Sequence, residues 1–118
     1  MKEKPNIVKD KTYHFSLDII RFYAELRKQV EFILSKQLLR SGTSIGANVE
    51  EATAAQSRKD FISKMAIASK EARETHYWLR LFRDSKLCPG IDFSEIINEC
   101  EQIVKIITAI VKTTRESF

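Results

Sequence analysis

A chain of 118 residues fits one domain, spanning 1–118, and leaves no room for two well-cored ones. It is 43% hydrophobic and 31% charged, enough for a real core under a polar surface, and no apolar run approaches the roughly 18 residues of a spanning helix. A formal charge of +4 permits an acidic partner without requiring one, so where the cations sit matters more than their sum.

Only three Gly and two Pro interrupt a sequence rich in Ala, Leu, Ile, Lys, Glu and Arg, which argues for helix over strand. The basic start, Met1-Lys2-Glu3-Lys4-Pro5, is followed by no apolar stretch or small-residue cleavage site, so it does not read as a signal peptide. Cys88 and Cys100 fit neither a disulfide framework nor metal-ligand spacing. A cytoplasmic location is the expectation.

The first helix is predicted over about 8–28, with Phe15, Ile19, Phe22 and Leu26 as its stripe and Leu17, Ile20 and Tyr23 widening it. A joint near Gln29–Phe32 follows. The second segment, about 33–56, holds a conflict: Ser41-Gly42-Thr43-Ser44 reads as loop on propensity. Yet Leu34, Leu38, Ser41, Ile45, Asn48, Ala52 and Ala55 keep helical phase straight through it. One continuous helix is predicted, with Gly42 and Gly46, four apart, forming a small-residue waist that a neighbouring backbone can approach.

The third helix, about 58–86, carries Phe61, Met65, Ala68, Ala72, Thr75, Leu79 and Phe82 at alternating spacings of four and three. Ser57 is its expected cap, with Asp60 reaching back, and Pro89-Gly90 its terminator. The fourth, about 92–114, opens with Asp92 as N-cap, Glu95 completing a capping box and Ile91 stapling onto Ile96. Its wide face runs through Phe93, Ile96, Ile97, Cys100, Ile103, Val104, Ile107, Ile110 and Val111, so Cys100 reads as a small buried hydrophobe. Four helices with short connections make an all-α, antiparallel up-down-up-down four-helix bundle.

Nothing in the sequence has the form of a catalytic centre. His14 and His76 lack partners at ligand spacing, and there is no HExxH, Glu-x-x-His pair or Gly-rich phosphate loop. No cofactor, metal or small-molecule substrate is expected, and the chain reads as non-enzymatic. Two constellations stand out instead. The second and third helices carry Arg40, Asn48, Glu50, Glu51, Lys64, Glu71 and Glu74 amid small and apolar residues, a polar network between helices or at a subunit contact. The alternative is a carboxylate site for acid–base work, which the lack of a metal ligand or paired histidine disfavours.

The other constellation is a stripe. Lys59, Ser63, Ala66, Lys70, Arg73, Tyr77 and Arg80 share one helical face with no acid in phase until Asp84. A nucleic-acid backbone can lie along it, cations on phosphates and Tyr77 stacking on a base. The bland alternative is a solvated face. Four phosphate contacts give a salt slope of only about −3.6, so a single copy would bind weakly and several copies would be needed.

The run from Leu34 to Ala52, LSKQLLRSGTSIGANVEEA, resembles the signature of the bacterial four-helix bundle family named after 23S rRNA intervening sequences. The stretches Ser57–Met65 and Lys70–Leu79 agree with it, and the likeness runs from about Asn6 to Lys112. The resemblance implies an up-down-up-down bundle with a helical waist, and homo-oligomers, typically pentameric rings. The accessory protein of diversity-generating retroelements looks like a relative that binds nucleic acid through basic surface. As the family's pattern positions the resemblance implies Arg40, Ser41, Ser44, Asn48, Glu51, Lys64, Glu71, Glu74 and Trp78. The leading expectation is a ring-forming bundle that binds RNA or DNA backbone weakly per protomer; the rival is a protein-interaction scaffold.

Overall fold

The computed structural model describes residues 3–29 and 32–117, with side chains from 7–28 and 33–117. Four helices follow one another: α1 Glu3–Gln29, α2 Phe32–Thr53, α3 Arg58–Ser85 and α4 Ser94–Glu116. Each packs on its chain neighbours, α4 closes back on α1, and the diagonal pairs stay apart. The α1–α4 seam is the most open of the four.

Cross-helix pairings fix the directions. On α1–α2, Ile19 lies by Gly42, Thr12 by Gly46 and Lys9 by Glu50. On α2–α3, Ser41 meets Thr75 and Glu51 meets Lys64. On α3–α4, Arg58 meets Ser117 and His76 meets Glu101, and on α4–α1, Glu99 meets Lys11 and Phe93 meets Phe22. Numbers rise on one helix as they fall on the next at every seam, so the bundle runs up-down-up-down.

The core follows the predicted phases closely. Met65, Ala68, Ala72, Thr75, Leu79 and Phe82 are buried on α3, and all of the predicted α4 face is buried except the half-buried Val104. On α1, Phe15, Ile19 and Leu26 are buried and Phe22 is half-buried, but Ile20, expected to widen the stripe, is 49% exposed. It sits one residue past Ile19, about 100° round the helix, beyond the reach of either neighbouring helix. Cys100 is enclosed; its thiol donates to the Ala72 carbonyl at 3.4 Å, and burial pushes the group up to about 12. That is an inert packing residue.

The helix ends depart from expectation in several places. α1 starts five residues earlier than predicted, at Glu3, because a proline in the first turn, Pro5, removes an N–H that has no intrahelical acceptor anyway. α2 stops at Thr53 and not at 56: Ala54 and Ala55 donate to carbonyls three residues back, tightening the last turn before Ser57 goes extended at φ −147°. α4 begins at Ser94, with Phe93 at the cap position and no side-chain cap bond there. Asp92 instead accepts from the backbone N–H and hydroxyl of Ser94, at 2.9 and 2.7 Å, and the expected box with Glu95 is replaced by this local turn.

α3 opens on the predicted cap, Ser57 Oγ accepting from the Asp60 N–H at 3.1 Å, without the expected return bond to the Asp60 carboxylate. Its end is different: Lys86, at φ 59° and ψ 27°, takes the left-handed position, ahead of Pro89-Gly90. A side chain there carries a steric cost that glycine avoids. Lys86→Gly is expected to raise stability by about 1 kcal/mol in urea unfolding; a loss would show that Lys86 makes a contact outweighing its strain.

The predicted waist is present, and its partner is α1. α2 is unbroken through Ser41–Ser44. A Cβ at Gly42 would fall 2.8 Å from the Ile19 side chain, and one at Gly46 would fall 3.2 Å from the Thr12 carbonyl oxygen. Gly42→Ala gains about 1 kcal/mol of helix propensity but overpacks by about 1–3 kcal/mol, so a net loss of up to about 2 kcal/mol is expected. In an Ile19→Ala background the same change should become neutral or stabilising in thermal melts. Equal losses in both backgrounds would mean that the contact is not what sets the spacing.

Candidate nucleic-acid interface

On α3 the basic stripe is where the sequence placed it. Lys59, Lys70, Arg73, Tyr77 and Arg80 are all exposed. Among the described residues none of the four cations is held in an ion pair. Arg73 donates to Thr108 Oγ1 on α4 at 3.2 Å, which turns its guanidinium toward the α3–α4 seam. Tyr77 is 49% exposed, its ring edge-on to Trp78 at 5.5 Å, with the Arg80 guanidinium 5.9 Å from its centroid. This braces the ring without covering it.

The stripe does not stand alone. Two adjoining clefts between α3 and α4, of about 370 and 360 Å³, share Arg73. The first adds His76, Arg80, Glu101, Val104 and Lys105; the second adds Val111, Lys112, Arg115 and Glu116. The α4 cations were missed because α3 was read by itself. They had a signal: Lys105, Thr108, Lys112 and Arg115 recur at spacings of three, four and three on one face. Each cleft also has one carboxylate: Glu101, bonded to His76 at 2.9 Å, in the first and Glu116 in the second.

Across the bundle the charge reverses. The cleft of about 320 Å³ on the α1–α4 seam is lined by Asp18, Glu25, Asp92, Glu95 and Glu99, with Arg21 as its one cation and Phe22 and Ile96 at its base. α4 thus separates a basic groove from an acidic one.

The second constellation forms two clusters and not one. Arg40 bridges from α2 to α3, donating to Glu74 Oε2 and, at 3.4 Å, to Glu71 Oε2. The Trp78 indole N–H donates to the same Glu74 oxygen at 3.1 Å. Glu71 Oε1 lies 3.3 Å from the guanidinium without hydrogen-bond geometry and is buried with no other partner. About three turns along α2, Lys64 and Glu51 pair at 2.7 Å. Between them Asn48 bonds back onto its own helix, donating to the Ser44 carbonyl one turn earlier at 2.9 Å, and Ser41 is fully buried, accepting from Thr75 at 2.9 Å. No group of three or more His, Cys, Asp or Glu able to hold a metal occurs among the described residues. None of the described helices is long and apolar enough to cross a membrane.

The Trp78 and Arg40 hydrogen bonds hold the Glu74 carboxyl below its ordinary value. A depressed carboxyl stabilises the fold above its unfolded-state value, and that contribution is lost as pH falls through the folded-state value. Glu74→Gln should therefore flatten the loss of stability below about pH 4.5 in urea titrations, because the amide does not titrate. Parallel acid limbs for the two proteins would contradict this.

Residues 4–109 match the family model described as 23S rRNA-intervening sequence protein. Comparison with curated proteins finds no match. A crystal structure of a protein with unknown function from the S23 ribosomal protein family of Bacteroides thetaiotaomicron VPI-5482 is similar throughout. It shares 48% identity at a TM-score of 0.85, covering 92% of this chain and 98% of that one. The waist sequence, all of α2 and α3 and most of α1 and α4 lie inside the matched region, and the chain belongs to the 23S rRNA-intervening sequence protein family.

Proposed function

We propose that this protein is a non-enzymatic, homo-oligomeric bundle that binds RNA or DNA backbone weakly per protomer. The observation that carries the reading is the set of exposed, unpaired cations Lys59, Lys70, Arg73 and Arg80 alongside a half-exposed Tyr77. Among the described residues none of the four is within ion-pair distance of a carboxylate, though Lys70 and Arg80 feel Glu74 and Asp84 on the same helix, so most of their charge is available to a phosphate. The per-protomer gain is small, and repetition around a ring of copies, a pentamer by family likeness, raises it through effective concentration.

Two experiments test the reading. Filter binding across a salt series should show affinity falling with salt, with Lys70→Glu/Arg73→Glu weakening binding at least about 10-fold at low salt. Binding that is absent at low salt, or indifferent to this charge reversal, rejects nucleic acid as the ligand. Static light scattering should give a mass several times the 13.7 kDa protomer; a clean monomer at micromolar concentration rejects the ring.

A second reading, a protein-interaction scaffold, has its own support on the neighbouring face of α3. Ile67 and Leu81 are 39% and 38% exposed, flanking the cluster in which Glu71 Oε1, though ion-paired with Arg40, accepts no hydrogen bond. Solvent-facing aliphatics next to an unmet acceptor are what a protein partner covers. Recovery of a stoichiometric protein in pull-downs after nuclease treatment, with no nucleic acid bound, would favour it.

A further inference from the structure

We infer that the ligand of the basic face is an unpaired strand lying in the α3–α4 groove, so that Lys105, Lys112 and Arg115 of α4 belong to the site. This rests on the proposed nucleic-acid reading and narrows it to one class of ligand. Arg73 lines both halves of the groove, Arg80 and Lys105 flank one half, and Lys112 and Arg115 flank the other. Cations therefore stand on both walls, over a floor that includes Val104 and Val111.

The shape selects among nucleic acids. Packed helices have axes about 8–10 Å apart, so the depression between them is narrow. A duplex is a rigid convex cylinder that would rest on the rims, touch only part of the charge and keep its bases stacked away from protein. An unpaired strand enters the groove, meets cations from both helices and can turn a base outward. Tyr77 does not line the groove but lies beside it, its ring centroid 5.9 Å from the guanidinium of Arg80, which does, and it is half open to solvent, where such a base would stack. A stacked base needs no matched hydrogen bonds, so the site is tolerant of sequence.

The test uses the full-length protein and fluorescence anisotropy with labelled oligo-rU and oligo-dT of about 20 nucleotides, each alone and annealed to its complement, at about 0.1 M salt. At least one unpaired strand should bind about 10-fold tighter than its duplex, and the two arms tell which sugar is preferred. Five groove cations predict a single-strand salt slope near −3.5. Lys105→Glu/Lys112→Glu should weaken strand binding at least about 10-fold, and Tyr77→Ala about 10-fold, with Tyr77→Phe retaining binding. All of these positions are exposed, and unchanged thermal melts confirm folding.

Duplex binding as tight as either strand overturns the inference while the broader proposal stands. So does strand binding that responds to Lys70→Glu/Arg73→Glu but not to reversal on α4. Binding of neither form overturns both.

Discussion

The spacing between α1 and α2 is the constraint on which the remaining geometry hangs. At Gly42 the two helices approach so closely that a single methyl group would strike Ile19. Close approach leaves little freedom to slide, because a shift of one residue would drive a side chain into the neighbouring backbone. With α2 locked in register, Ser41 is delivered to Thr75 inside the core and Arg40 to Glu71 and Glu74 at the surface. The buried hydroxyl pair and the surface ion cluster are adjacent residues of one helix turn, positioned by a contact on that helix's opposite side.

Polar bonds across α2–α3 and apolar burial across α3–α4 divide the labour. Ser41–Thr75 and Arg40–Glu74 specify which residues face each other. The α4 face of Ile96, Ile97, Cys100, Ile103 and Ile107 buries apolar area with little positional demand. Because α4 is held by its apolar face, its flanks are free to carry charge of either sign. They do: carboxylates toward α1 and cations toward α3.

Most of the fold was legible in the sequence because the seams of α3 and α4 are long and regular, and periodicity records which face is buried. The waist was legible too, since Leu38, Ser41, Ile45 and Ala52 keep phase through a stretch whose propensity alone says loop. Helix ends were less so. Asp92 carries the residue type of a cap, yet the chain turns one residue later, and Lys86 adopts a conformation for which its side chain gives no signal. The stripe on α3 was readable because it lies on one helix. The groove was not, since it arises from Arg73 and Lys112 facing each other across two helices, and single-helix phase contains no information about who the neighbour is. For the same reason the polar positions on α2 and α3 could be named in advance but not sorted into the Arg40 cluster and the separate Lys64–Glu51 pair.

The opposite charge of the two grooves beside α4 gives the bundle a lateral electric moment, across its long axis. A polyanion drifting toward it feels a torque before it feels a contact, rotating the bundle until the acidic seam points away. One flank of α4 attracts such a polymer and the other repels it, so the charge layout alone gives this bundle a preferred direction of approach.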